Sequence, residues 1–188
     1  MGSRLALQMG AEWLLGTSHV ALRDYGQMER DGEDQSLAGL LDVDAVRATI
    51  DDVVAAMFAI PEGEQRFPRG WWPSACCEPA ATAIAGVLSD RGLGEWMLVS
   101  GKRPGESNGH MWVELREASG VAIYAIDVTL DQMSEFDSPF VGEGPSPAAQ
   151  VFTEQRGVWR LYEWPYIGDE GGPFLENLRQ VREILRDK

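Results

Sequence analysis

The chain holds only two cysteines among its 188 residues, and they are adjacent, Cys76 and Cys77. Neighbouring cysteines can join only through a strained vicinal disulfide, so a disulfide-stapled secreted framework is excluded and both residues read as thiols. Histidine is equally scarce, with His19 and His110 alone. A tetrahedral zinc site would have to recruit both neighbouring thiolates, so neither a metal nor a cofactor is expected. Basic residues number 16 against 30 acidic ones, giving a net charge of −14, and no lysine- or arginine-rich run interrupts the excess. Nucleic acid and anionic membrane surfaces are therefore excluded as partners. No stretch reaches the ~18 consecutive apolar residues of a membrane span, and no basic segment followed by an apolar run opens the chain. The expectation is a soluble cytoplasmic protein.

A hydrophobic content of 44% is ample for one continuous core at this length. Residues 1–40 show no clean period and read as an extension of undetermined structure, with residues 41–188 forming a single domain. Val46, Ile50, Val53, Val54 and Met57 recur at helical spacing, with Asp44 as the expected N-cap and Pro61 as the stop. Proline and glycine make residues 61–74 irregular. An alanine-rich helix then begins at the cysteines and ends near Gly92 and Gly94.

Three short apolar segments follow, around residues 96–99, 111–115 and 121–126, rich in β-branched and aromatic side chains. They predict an antiparallel sheet in which the second and third strands form a hairpin across residues 116–120. Residues 131–150 lose periodicity and read as a loop over one edge of the domain. An aromatic-rich strand is expected over 158–166, and Phe174, Leu178, Val181 and Leu185 mark a terminal amphipathic helix. The fold class is α+β, a cysteine-bearing helix packed on an antiparallel sheet.

A thiol becomes a useful nucleophile when its thiolate is favoured, and the unpaired amides and dipole of a helix start do this. It also needs a base. His110 precedes a strand, and Asp127, at the end of the adjoining strand, can orient it and stabilise its charged form. Each residue has a plainer reading: cysteines on an alanine-rich helix serve as small buried hydrophobes, a histidine as a hydrogen-bonded core residue, and an aspartate as a turn former.

The spacing of these residues resembles the transglutaminase-like branch of the papain-like cysteine enzymes. Members carry a cysteine with an acidic residue two positions on and a small residue four on, here Cys76, Glu78 and Ala80. A strand motif His-x-Trp-x-Glu follows, here His110, Trp112 and Glu114, and then Asp-x-Thr, here Asp127 and Thr129. The likeness spans about a third of the chain, residues 67–132. It implies a papain/transglutaminase-like core with Cys76 as nucleophile, His110 as base and Asp127 as the orienting carboxylate. A one-residue change of register would give the nucleophile's role to Cys77. Gln65, Trp71 and Trp72 are the candidates for stabilising an oxyanion.

What the resemblance implies chemically is a thioester formed with an amide-bearing peptide or protein, then transfer to water or to an amine. Hydrolysis of the peptidase kind is the leading expectation. Transglutaminase or glutamine deamidase activity is the alternative, and a further one is a catalytically inactive binding module using Trp159, Tyr162, Trp164 and Tyr166.

Overall fold

The computed structural model describes residues 41–167 and 172–187, apart from the side chain of Gln155; the N-terminal extension read from residues 1–40 lies outside them. Helix α1 spans Val43–Ala59. Its N-cap is Asp42 and not Asp44, because the Asp42 carboxylate accepts the Ala45 amide at 2.9 Å. Both aspartates suit a cap chemically, but only the one three residues before an orphan amide can reach it. The helix ends at Ile60, just before Pro61. Val46, Ile50, Val53 and Met57 are buried, as their spacing predicts.

Helix α2, Cys77–Asp90, is buried along nearly its whole length. Its small side chains allow close approach: a Cβ added to Gly86 would lie 2.6 Å from a methyl of Leu178. Leu178 belongs to helix α3, Pro173–Arg186, so the two helices meet where one has no side chain.

Strands β1 (Trp96–Lys102), β2 (Gly109–Arg116), β3 (Ala122–Asp127), β4 (Phe140–Glu143) and β5 (Glu154–Trp159) form an antiparallel sheet in the order β4-β3-β2-β1-β5. Two expectations are corrected here. The segment 131–150 is not simply a loop, since it contains β4 on the sheet edge and two short 3-10 turns, Leu130–Gln132 and Pro147–Gln150. The strand placed over 158–166 instead ends at Trp159, and Leu161–Glu163 is a 3-10 turn. A four-residue edge strand containing Gly142 carries too few alternating side chains to show a period.

Alternation along the strands divides the interior in two. Met111, Val113, Tyr124 and Ile126 join the main core with α1, α2 and α3. Trp112 and Val99 belong to a second cluster with Leu130, Ala148 and Phe152. The covering for this opposite face comes from residues 130–152. His110 and Glu114 share the parity of Trp112 along β2, and Asp127 takes the other parity from Ile126 along β3.

Candidate functional site

His110 is the second residue of β2 and Asp127 the last of β3, and with Val113 facing Ile126 the hairpin brings them to the same end. The imidazole Nε2 lies 2.8 and 3.0 Å from the two Asp127 oxygens, and both residues are 2% exposed. A carboxylate only accepts, so Nε2 carries a proton and donates it. Asp127 also accepts from the Ser146 hydroxyl at 3.1 Å. Trp112 stacks on the imidazole with centroids 5.9 Å apart, and Phe152 closes on it at 5.3 Å. The remaining nitrogen, Nδ1, faces Gln132, whose Nε2 is 3.1 Å away.

The two cysteines fall in different surroundings. Cys76 caps α2, is fully buried, and turns its sulfur to the carbonyls of Ser74 at 3.3 Å and Pro68 at 3.7 Å. Burial, and secondarily the charge of Cys77, push its thiol up to about 11. A thiol so held is a poor nucleophile at neutral pH. Cys77 is the first residue of α2, is partly exposed, and lines a cavity of about 480 Å³ together with His110, Gln132, Glu78, Asn108 and Arg156. Motif counting favours Cys76, but it is Cys77 that lines the cavity with His110. Ala75, just before the two cysteines, has φ of 56°, a left-handed backbone uncommon for a residue with a side chain.

Burial opposes charge on His110, but the hydrogen bond and charge of Asp127, joined by those of Cys77, outweigh it and raise its pKa to about 9. The net effect favours the protonated imidazole. The first amides of α2, those of Cys77 and Glu78, precede the first helical bond, from Ala80 N–H to the Cys76 carbonyl. Helix geometry leaves such amides available to an anion.

The three oxyanion candidates named from sequence are not part of this cavity. Gln65 donates to the Ile60 carbonyl, Trp71 is 71% exposed, and Trp72 packs edge-on against Phe58. They precede the cysteines in sequence, yet the irregular segment carries them away. Gln132 was the residue missed. Its Oε1 accepts from Ala75 N–H at 3.3 Å and its Nε2 donates to the Thr129 carbonyl at 2.9 Å, so it ties the cysteine turn to the histidine. The available signal was its place one turn past Asp127-x-Thr129.

Glu114 and Trp112 lie on the same face of β2 as His110. Glu114 is buried, accepts from Trp112 Nε1 at 2.7 Å and from Arg116 Nε at 2.8 Å. This fixes the indole that stacks on His110. Trp164 is buried, while Tyr162 and Tyr166 are exposed. Among the described residues no cluster of three or more His, Cys, Asp or Glu could hold a metal ion, and no helix is long and apolar enough to cross a membrane. No family model, curated protein or solved structure matches the chain.

Proposed function

We propose that the chain is a cysteine-dependent amide hydrolase with a transglutaminase-like core, acting on a peptide or protein substrate through a thioester. Cys77 is the nucleophile, His110 the acid and base, and Asp127 the residue that orients His110. The observation that carries the reading is the placement of a partly exposed helix-start thiol in one cavity with a buried imidazole whose far nitrogen is held by a carboxylate.

The Cys77 sulfur, having given its proton to His110 Nδ1, adds to the amide carbonyl carbon, and the oxygen becomes an anion against the Cys77 and Glu78 amides. Collapse breaks the carbon–nitrogen bond, and the departing amine takes the proton from Nδ1. Water then gives a proton to Nδ1 as its oxygen attacks the thioester. The carbon–sulfur bond breaks, and a carboxylic acid and the Cys77 thiol are released. Throughout, Nε2–H stays on Asp127, which keeps the ring in place and stabilises its charged form.

Intact-mass measurement after iodoacetamide treatment near pH 7 tests this reading. Cys77 is alkylated faster than free cysteine and Cys76 is not. Labelling of neither residue faster than the free thiol rejects an activated nucleophile. With a peptide pool, backbone cleavage supports hydrolysis, a gain of about one dalton indicates deamidation, and addition of an amine indicates transfer.

A further inference from the structure

Arg156 reaches the Cys77 cavity by a local irregularity in the sheet. In the pairing of β1 with β5, Ser100 faces Gly157 but Gly101 faces Gln155, so Arg156 is the extra residue of a β-bulge. Bulges bend a strand and re-aim one side chain. The guanidinium lies against the backbone of Gly109, where an added Cβ would come within 3.1 Å of its Cζ and Nη1. Glycine therefore leaves a bed for it beside His110. At one edge the Arg156 Nη2 donates to the Ser107 carbonyl.

Three separate features, the bulge, the glycine and the carbonyl anchor, hold this cation at the wall of the cavity. It forms no ion pair with a carboxylate among the described residues, and it is the only arginine or lysine lining the cavity. Arginines 91, 103, 116, 160, 179 and 182 are paired with acids; Arg156, like Arg47 and Arg69, is anchored on a backbone carbonyl instead, but it alone of these lines the Cys77 cavity. Burial pushes the carboxyl of Glu78, also in the lining, above its usual value, and the positive charge of Arg156 opposes this in part. A guanidinium anchored by a neutral carbonyl, with no carboxylate in ion-pair contact, can receive a planar, bidentate anion.

We propose that Arg156 is the specificity residue of the site and selects substrates whose acyl portion carries a carboxylate within reach of the carbonyl that Cys77 attacks. This rests on the assignment of Cys77 as nucleophile. An acidic side chain next to the scissile amide and a free terminal carboxylate both present that chemistry, and peptides of each kind distinguish them.

Two alkylating agents of nearly equal size test it on the full-length protein: iodoacetate, which bears the carboxylate, and iodoacetamide, which does not. The quantity read is the ratio of their rate constants at Cys77, mapped by peptide mass, so changes in thiol reactivity common to both cancel. In the unaltered protein the ratio exceeds that of free cysteine. In Arg156→Gln it falls roughly tenfold, the loss of one charge-assisted contact, and Arg156→Lys recovers part of it. The positive charge of His110 is present in all three proteins, so the difference isolates Arg156. Rapid iodoacetamide labelling with a ratio unmoved by Arg156→Gln overturns the carboxylate proposal and leaves the nucleophile assignment standing. Iodoacetamide labelling no faster than free cysteine overturns both.

Discussion

Gln132 presents its amide nitrogen, not its oxygen, to Nδ1 of His110, at 3.1 Å. The orientation is fixed from outside, because Oε1 accepts the Ala75 amide and Nε2 also donates to the Thr129 carbonyl. A donor facing Nδ1 favours a lone pair there, whereas Asp127 and Cys77 favour a proton. Gln132 thus restrains the basicity that its neighbours raise. Replacing it by glutamate turns a donor into an acceptor. Gln132→Glu raises the His110 pKa above its value of about 9, read from the pH titration of the imidazole carbons by NMR. An unchanged or lowered value rejects the balancing role.

The two thiols are separable by substitution. Cys77→Ala removes rapid alkylation by iodoacetamide entirely, since the sulfur that remains is buried and its pKa is raised. Cys76→Ala keeps rapid alkylation and lowers stability by about 1 kcal/mol, the usual cost of trimming a small buried side chain. Reversal of the two labelling outcomes would return the nucleophile's role to Cys76.

His110 links stability to pH with a definite sign. Its pKa rises from 6.5 to about 9 on folding, so the folded state binds the proton more tightly than the unfolded chain. The resulting stabilisation is fully present below about pH 6.5 and is lost as pH rises through about 9. Asp127→Asn removes the principal group raising that value. Urea denaturation near pH 6 and near pH 9.5 then shows a smaller difference in the variant, as the His110 part is lost, and the proposed amide hydrolysis falls on the order of 10²–10⁴-fold. Equal pH dependence in the two proteins would show that Asp127 does not control the histidine.

Packing of α2 against α3 makes a prediction remote from the cavity. Gly86→Ala forces its methyl into Leu178, against a clearance of 2.6 Å. The helices must part or Leu178 must leave its rotamer, at a cost of about 1–3 kcal/mol. Thermal or urea denaturation reads this directly, and no loss of stability would mean that the leucine moves freely.

Much of this architecture is legible in the sequence where one period dominates. Val46 through Met57 mark α1 because that helix buries one continuous face against the main core, and the short β-branched and aromatic run over 111–115 marks β2, which is buried on both faces. His110 and Asp127 are legible as a pair because one hairpin joins their strands. Cys77 is legible only as an alternative, because the helix-start argument serves both cysteines equally and their burial, which separates them, is not written in spacing. Gln132, Ser146 and Arg156 are invisible for a shared reason: each reaches its partner through a turn, an edge segment or a bulge whose geometry leaves no periodic trace.

The covering of the sheet by residues 130–152 has a bearing on how the site comes into being. Helix α2 supplies the thiol from one side of the sheet, while Ser146, Gln132 and Phe152 reach His110 and Asp127 from the other. A folding chain with its helices and hairpin already docked would still leave the imidazole wet and its carboxylate without the serine. Reactivity at Cys77 is therefore a reporter of that covering layer, and the proton affinity of His110 registers whether both faces of the sheet are covered.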